Sequence, residues 1–311
     1  MGDPGGIGPE IAVKAALDKR VRAICEPVLV GAPDVLKLYG LKKNVQAVAT
    51  ETRQFHVGEI QAEHGLAALD AARTAIRGAM SGKYHAVVAA PHSETAIHAA
   101  GVEFDGYPSF VARTAGLAPQ DGILMLCFEH GGREVRIAHV TLHISVRDAL
   151  RLITKDRVLR TIRAVAAALA SMGIEKAKIA VGGVNPHAGE GGLFGDDEQS
   201  SVIPAVEAAR KEGITVDGPI GADIMIQRAG YDAYVVMFHD QGHVAAKLLA
   251  PQRVAGLTIG TPVLFSSVAH GAAFDIAGKN RANPAAMVEA ITRLVGRRRR
   301  ASATRKVSSK Q

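Results

Sequence analysis

The sequence has few aromatic residues, few cysteines and no long apolar run. Only 4% of its 311 residues are aromatic and none is tryptophan, which argues against the aromatic platforms that stack on single-stranded nucleic acid. Its two cysteines, Cys25 and Cys127, lie in apolar contexts without metal-like spacing, as expected for buried free thiols. No stretch approaches the roughly 18 consecutive apolar residues of a membrane span, and the N-terminus lacks the features of a signal peptide. We therefore expect a cytoplasmic protein with no membrane partner.

Most of the chain also lacks an excess of either positive or negative charge, although the formal net charge is +7. Seven Lys and Arg residues and no acid fall within 297–311, which leaves 30 basic against 30 acidic residues elsewhere. This surplus predicts a solvated, disordered tail and no nucleic-acid partner for the body of the protein. A nucleic-acid-binding protein that uses the tail is the alternative, and its binding would be sensitive to salt and to deletion of 297–311.

Apolar runs of strand length alternate with helical segments along the chain. Runs such as 178–183 and 233–238 are typical of buried parallel strands, and 156–172 is typical of a helix. Residues 123–128 and 135–141 flank a Gly-Gly turn and predict paired strands. The sequence therefore predicts an α/β fold with mostly parallel sheets. At roughly 150 residues per domain, two domains are expected.

Histidines follow four of the apolar runs, at the point where each run ends. They are His92, His143, His187 and His239. Ligands bind beyond the carboxyl ends of strands in open α/β sheets, and about three imidazoles with one open position make a catalytic site for Zn²⁺ or a similar divalent ion. A structural role for each histidine taken alone is the alternative.

Other polar residues in these loops suggest acid, base or anchoring roles. Lys247 is a candidate anion anchor or proton donor, and Asp223 is a candidate base or a helix N-cap. Asp240 could orient the neighbouring His239 imidazole. Glu190 is a candidate acid or a turn residue.

A glycine-rich segment over 2–10, GDPGGIGPE, leads into a helix. It can present backbone N–H groups to an anion, although it departs from the GxGxxG fingerprint of dinucleotide-binding folds. A structural turn is the alternative. The candidate cofactor-binding residues are Gly2, Asp3, Gly6 and Gly8.

Together these motifs resemble the 4-hydroxythreonine-4-phosphate dehydrogenase family of pyridoxal phosphate biosynthesis. The resemblance rests on GDPGGIGPE, VTLHISVRD, VNPHAGEGG, GPIGAD, HDQGH and HGAAFDIAG. It implies an isopropylmalate-dehydrogenase-like two-domain α/β/α fold with an inter-domain cleft, and NAD-dependent oxidative decarboxylation. It also implies a homodimer whose site is completed across the interface. A divalent metal, with zinc the expected ion, is implied on His143, His187 and His239.

The expected domains are one α/β domain at 1–100 with 256–296 and a second, with the dimer contacts, at 101–255. Relatives place a strand before the glycine-rich segment. Either translation starts upstream in the natural protein or that strand is missing.

The positions that contact substrate depart from the biosynthetic members. There a His-Thr pair, a Lys, an Asn and an Arg hold the substrate and its phosphate. The Lys corresponds to Lys247, whereas the others fall on Tyr107-Pro108, Gly256 and Phe265. Loss of a bidentate arginine removes a strong contact with phosphate, and hydrogen bonds to charged groups contribute about 1.5–3 kcal/mol each. We therefore expect a substrate other than phosphorylated hydroxythreonine.

The variant segments resemble the terephthalate 1,2-cis-dihydrodiol dehydrogenase branch. They include PHSETAIHAAG, GYPS, GADIM, HDQGHVAAKLLAP and SSVAHGAAFDIAG. That branch converts 1,2-dihydroxy-3,5-cyclohexadiene-1,4-dicarboxylate to protocatechuate and CO₂. The biosynthetic activity, and another hydroxy acid or diol in the same fold, are the alternatives. The residues expected to surround a flat ring diacid are Tyr107, Pro108, Gly256, Phe265, Lys247, His92 and Ser93.

Overall fold

The computed structural model describes most of the chain, namely residues 1–51, 54–251, 253–268 and 270–294. The basic tail predicted over 297–311 lies outside these residues. Among the helices described, none combines the length and the apolar composition that a bilayer crossing requires.

Helices and short strands alternate along the described chain. The helices are α1 (Gly8–Leu17), α2 (Lys19–Ile24), α3 (Pro33–Leu38), α4 (Ala62–Met80), α5 (Glu94–Ala99), α6 (Tyr107–Thr114), α7 (Val146–Leu152), α8 (Lys155–Ser171), α9 (Ile203–Lys211), α10 (Ala222–Met225) and α11 (His239–Leu249), followed by a helical stretch over 285–294. The strands are β1 (Val28–Gly31), β2 (Gln46–Ala49), β3 (Val87–Ala89), β4 (Ile123–His130), β5 (Arg133–His139), β6 (Ile179–Gly182), β7 (Val216–Ile220), β8 (Ala233–Val236), β9 (Ala255–Ile259) and β10 (Phe265–Val268).

The first compact unit comprises Met1–Pro119 and the described residues from Thr261 to Leu294. Within it β1 pairs with β2, and β3 pairs with β10, both in parallel. One apolar core joins α1 to the helical stretch over 285–294, and another joins α4, α6 and Phe265. Helix α6 packs on α4 within this unit. Residues 101–119 therefore fall in the first unit and 256–260 in the second, whereas the predicted boundaries placed each segment in the other domain.

The second compact unit, Gln120–Gly260, is built on one sheet with the strand order β9-β4-β5-β8-β6-β7. The predicted pairing of β4 with β5 is confirmed, since the two strands are antiparallel with Leu126 opposite Ile137. The neighbours β5, β8, β6 and β7 are parallel to one another. The predicted α/β fold with mostly parallel strands is thereby confirmed.

Helix α8 covers strands of this sheet. Its N-terminus is capped by Thr154, whose hydroxyl oxygen accepts the N–H of Arg157 at 3.3 Å. The fully buried residues that recur every three or four positions are Val158, Ile162, Val165 and Leu169. This apolar stripe packs α8 against β5 and β8, so two of the strands that lead to the candidate site are supported from one face.

Candidate functional site

Predicted site residues follow four parallel strands of the second unit. His143 follows β5, His187 follows β6, Asp223 follows β7 and His239 follows β8. Because these strands run in the same direction, their carboxyl ends share one edge of the sheet. The structure therefore directs four loops with acid, base or ligand side chains to that edge.

His143 and His239 are neighbours at this edge. Thr141 ties their loops together, because its N–H and its hydroxyl both donate to the Met237 carbonyl, at 3.1 Å and 2.6 Å. The two imidazole centroids lie 5.5 Å apart. With metal–nitrogen bonds of about 2 Å, two imidazoles on one tetrahedral ion have centroids about 5 Å apart. The pair thus has the spacing of two ligands to a common ion.

Carboxylates occupy the Nδ1 side of two predicted ligands. His239 Nδ1 is 2.6 Å from Asp240 Oδ1, and His187 Nδ1 is 3.5 Å from Glu190 Oε2. The hydrogen bond at Nδ1 of His239 keeps the ring proton there and leaves Nε2 available to a metal, whereas His187 and Glu190 make only a longer contact between exposed side chains. The hydrogen bond with His239 also holds the pKa of Asp240 below its usual range. The chemistry of these donors therefore suits a divalent ion.

The three predicted ligands do not form a closed metal centre. Within the described ranges, no group of three or more His, Cys, Asp or Glu side chains is placed to hold an ion. His143 and His239 form a pair, whereas the side chain of His187, on another loop, is 64% exposed. The structure thus provides one imidazole pair and a third imidazole on a different loop.

His187 lies in a turn, Pro186–Gly192, with an unusual backbone. Five consecutive residues have φ values between 43° and 78°, and three of them, His187, Ala188 and Glu190, are not glycine. A left-handed conformation costs a non-glycine residue about 1–2 kcal/mol. The turn must therefore be held in place by its surroundings, a requirement that its sequence did not reveal.

Two histidines that were not singled out from the sequence extend the cluster. The His243 ring stacks on the His239 ring, with centroids 3.8 Å apart and an interplanar angle of 9°. The ring centroids of His139 and His243 are 4.9 Å apart. Burial lowers the pKa of His139 to about 3 and that of His243 to about 4. Both imidazoles are therefore neutral at neutral pH. The spacing of His239 and His243, one helical turn apart, was the available sequence signal.

The contact between His139 and Gly242 fixes the start of α11 against β5. His139 Nδ1 lies 3.3 Å from the Leu124 carbonyl, and its buried Nε2 has no hydrogen-bond partner among the residues that the structure describes. A Cβ atom at Gly242 would overlap this ring. Glycine is thus needed here for close approach, which sets the position of the neighbouring His239.

Lys247 and Asp223 lie on exposed parts of the second unit. Lys247 extends the face of α11 that carries His239 and His243, because the three recur every four residues. Asp223 lies in the first turn of α10, where Gly221 is the N-cap and no side-chain cap is formed. The N-cap interpretation of Asp223 is therefore wrong, and its carboxylate has no capping role.

Gly256 lies in β9, buried and opposite Leu126 of β4. It supplies no side chain to a ligand, as its identity dictates. Its predicted place beside a substrate stays a prediction.

In the first unit, the predicted substrate residues belong to a buried aromatic cluster. The rings of Tyr107 and Phe265 are 5.0 Å apart, and their side chains are 5% and 0% exposed. His92 packs edge-on against Tyr107 at 4.6 Å. Pro108 is also buried, and the Ser93 hydroxyl caps α5. These contacts give the residues a role in the core, and their direct contact with substrate stays a prediction.

The glycine-rich segment is buried in the first unit, and several of its backbone N–H groups donate hydrogen bonds within the fold. The N–H of Asp3 donates to the Pro91 carbonyl at 2.9 Å, and that of Ile7 to the Ala272 carbonyl at 2.8 Å. A Cβ atom on Gly6 would lie 2.7 Å from the Ala272 side chain. The segment therefore has a packing role within the first unit. Cofactor binding stays a prediction for Gly2, Asp3, Gly6 and Gly8.

Comparison with known proteins gives matches over almost the whole chain. A family model described as pyridoxal phosphate biosynthetic protein PdxA matches residues 12–294. A 1,2-dihydroxy-3,5-cyclohexadiene-1,4-dicarboxylate dehydrogenase from a Comamonas species is 41% identical over 303 residues, covering 94% of this chain and 95% of that protein. A proposed D-threonate 4-phosphate dehydrogenase from Symbiobacterium thermophilum is 40% identical over 317 residues, covering 94% and 93%.

Solved structures support the same relationship. The 4-hydroxythreonine-4-phosphate dehydrogenase of Klebsiella pneumoniae superposes with a TM-score of 0.82 at 32% identity, covering 96% of this chain and 97% of that one. A β-decarboxylating dehydrogenase from Thermococcus kodakarensis superposes with a TM-score of 0.54 at 18% identity, covering 95% of this chain and 81% of that one. This match shows a shared fold. The predicted isopropylmalate-dehydrogenase-like fold is confirmed.

Proposed function

Because the chain belongs to the family of the pyridoxal phosphate biosynthetic protein PdxA and is a dehydrogenase, we propose that it oxidises and decarboxylates a cis-dihydrodiol ring dicarboxylate with NAD⁺. The substrate is 1,2-dihydroxy-3,5-cyclohexadiene-1,4-dicarboxylate, and the products are protocatechuate, CO₂ and NADH. The observation that carries this proposal is the 41% identity to an enzyme named for that substrate. Phe265, which falls where the family resemblance implies a phosphate-binding arginine, supports it.

Oxidation at C2 of this substrate prepares the loss of the C1 carboxylate. The C2–H bond breaks and its hydride passes to NAD⁺, while the C2 hydroxyl loses its proton. The resulting ketone is β to the C1 carboxylate, so the C1–carboxylate bond breaks and CO₂ leaves. The electron pair of that bond remains in the ring, which takes up a proton at oxygen and becomes aromatic. A bound divalent metal would polarise the C2 oxygen and the C1 carboxylate.

Residues of the second unit are assigned to these steps. His143, His187 and His239 would hold the metal, and the Asp240 carboxylate hydrogen-bonded at Nδ1 of His239 would keep Nε2 of that ring directed to it. Lys247 would bind a substrate carboxylate or return a proton. Asp223, exposed in the first turn of α10, would accept the hydroxyl proton.

The chain is also proposed to act as a homodimer. Large apolar side chains are exposed close in sequence to the proposed site residues: Val146 is 69% exposed, Leu193 is 72% exposed and Leu248 is 77% exposed. Covering a valine or leucine side chain stabilises an interface by up to about 1.5–3 kcal/mol. A second copy of this chain would cover such side chains beside the site.

A phosphorylated hydroxy acid is the second candidate substrate. The 40% identity to a proposed D-threonate 4-phosphate dehydrogenase favours it, as does the superposition on a 4-hydroxythreonine-4-phosphate dehydrogenase. In that case Lys247 would be the main cation for the phosphate, because Phe265 and Gly256 supply none.

Product analysis tests the proposed reaction. The purified full-length protein is incubated with the dihydrodiol dicarboxylate, NAD⁺ and a divalent metal. We expect NADH, CO₂ and protocatechuate in equal molar amounts, because hydride transfer and decarboxylation are coupled on one substrate. NADH without protocatechuate would contradict decarboxylation, and absence of NADH would contradict the proposed activity as a whole. A reaction without protein is the control for spontaneous aromatisation.

A further inference from the structure

We infer that Glu198 is a positioning residue, which holds the turn Pro186–Gly192 in the conformation that presents His187. The inference rests on the proposed function insofar as His187 is a metal ligand. Glu198 lies outside the motifs that carry the family resemblance. It would touch neither substrate nor metal, and would act only through the turn.

Glu198 is a buried carboxylate that binds the beginning of this turn. Its side chain is 1% exposed. Oε1 accepts the N–H groups of Val184 and Asn185, both at 2.7 Å, and Oε2 accepts Nδ2 of Asn185 at 2.9 Å. Three donors from two adjacent residues thus converge on one charged acceptor. Such charge-assisted hydrogen bonds are the strong ones, and a group with two acceptor oxygens is needed to accept all three.

The same carboxylate also lies against the interior of the turn. A Cβ atom at Gly189 would be 2.6 Å from Oε2, and one at Gly183 would be 3.0 Å from Oε1. Glycine at both positions is therefore the condition for the backbone to close around Glu198. This contact joins the left-handed residues directly to the carboxylate.

Glu198 is itself placed by a rigid part of the second unit. It begins a π-helical turn, Glu198–Val202, which continues into α9, and Val202 is fully buried. This π-helical turn, Glu198–Val202, packs on α8 and α9. The strained backbone around His187 is therefore held from a fixed element, so the imidazole is placed before any metal binds.

The test is the Glu198→Gln variant, which removes the charge and one acceptor while keeping the side-chain shape. In the metal-free protein we expect faster hydrogen exchange confined to the amides of 184–192, with the thermal midpoint close to that of the wild type. We expect Zn²⁺ affinity to fall about 10–100-fold, as for other residues that orient metal ligands. The turnover number should fall more than KM rises.

A matched control is Glu212→Gln, which makes the same chemical change at an exposed carboxylate paired with Arg163 at 2.6 Å and 2.8 Å. It should leave exchange over 184–192 and Zn²⁺ affinity unchanged. If Glu198→Gln does not fold, the Glu198→Asp variant is used instead. It keeps the charge but shortens the side chain by one methylene, and hydrogen exchange over 184–192 is measured in the same way.

Two results overturn the inference. One is wild-type exchange over 184–192 in the variant, and the other is faster exchange spread evenly over the second unit, as expected for a merely structural carboxylate. Failure of the proposed function can be distinguished from both of these results. If wild-type protein does not bind Zn²⁺ through His187, the metal assignment fails, while exchange in the metal-free protein still decides the role of Glu198.

Discussion

Substitution of His239 by alanine is expected to lower turnover by about two orders of magnitude or more and to remove the bound divalent metal. His239 belongs to the imidazole pair with 5.5 Å spacing, so its loss would leave His143 without the partner with which it is proposed to share the ion. The Gln241 side chain accepts the Met237 and Phe238 N–H groups at 2.8 Å and 3.1 Å, so the start of α11 is held without the imidazole. The loss should therefore be chemical and not a loss of fold. His143→Ala should behave in the same way.

Metal content after dialysis and the rate of NADH formation measure this effect together. The control is His130→Ala, which removes an exposed imidazole of the same unit whose Nδ1 lies 3.2 Å from the Leu249 carbonyl. That variant should keep both metal and turnover. A His239→Ala protein with full metal content and full turnover would remove His239 from the ligand set.

Lys247→Met is expected to lower kcat/KM for the dicarboxylate by about 10–100-fold, the range that corresponds to a hydrogen bond with a charged group of about 1.5–3 kcal/mol. Lys247 is exposed and lies on the face of α11 that carries His239. Methionine keeps the length of the side chain and removes the ammonium group, so packing along the helix is retained.

The distribution of the effect between kcat and KM separates the two roles that the sequence left open for Lys247. An anchor for the substrate carboxylate predicts a raised KM with little change in kcat, whereas a proton donor predicts a lowered kcat. Lys211→Met, at an exposed lysine that ends α9, is the matched control and should change neither. If Lys247→Met also changes neither, Lys247 has no part in the site.

The position of the candidate site was predictable from local sequence patterns. Strands β6 and β8 are continuously apolar and fully buried, and this pattern is typical of central parallel strands. A histidine follows each of them. Once the strands are parallel, their carboxyl ends share an edge, so the meeting of these loops follows without knowledge of tertiary contacts.

The conformation of the site depended on contacts between distant residues, which no local pattern encodes. Glu198 accepts a hydrogen bond from Val184, which lies fourteen residues earlier in the chain. The amino-acid composition of the left-handed turn between them does not differ from that of an ordinary glycine-rich loop. The burial of Phe265 depends on the packing of α6 on α4, more than 150 residues earlier in the chain.

The glycine-rich segment shows the same limit. Glycines permit close approach of either a phosphate or another backbone, and their pattern does not distinguish these partners. At Gly6 the structure shows a protein neighbour, because a Cβ atom added there would lie 2.7 Å from the Ala272 side chain.

The most direct test of the central claim compares kcat/KM for three substrates on one preparation of the full-length protein. They are the dihydrodiol dicarboxylate, 4-phosphohydroxythreonine and D-threonate 4-phosphate, each with NAD⁺ and a divalent metal. Because Tyr107-Pro108, Gly256 and Phe265 supply no phosphate-binding cation, we predict that kcat/KM for the ring dicarboxylate is at least about 100-fold higher than for either phosphate ester. Equal or faster turnover of a phosphorylated substrate would contradict the assignment and favour the second candidate.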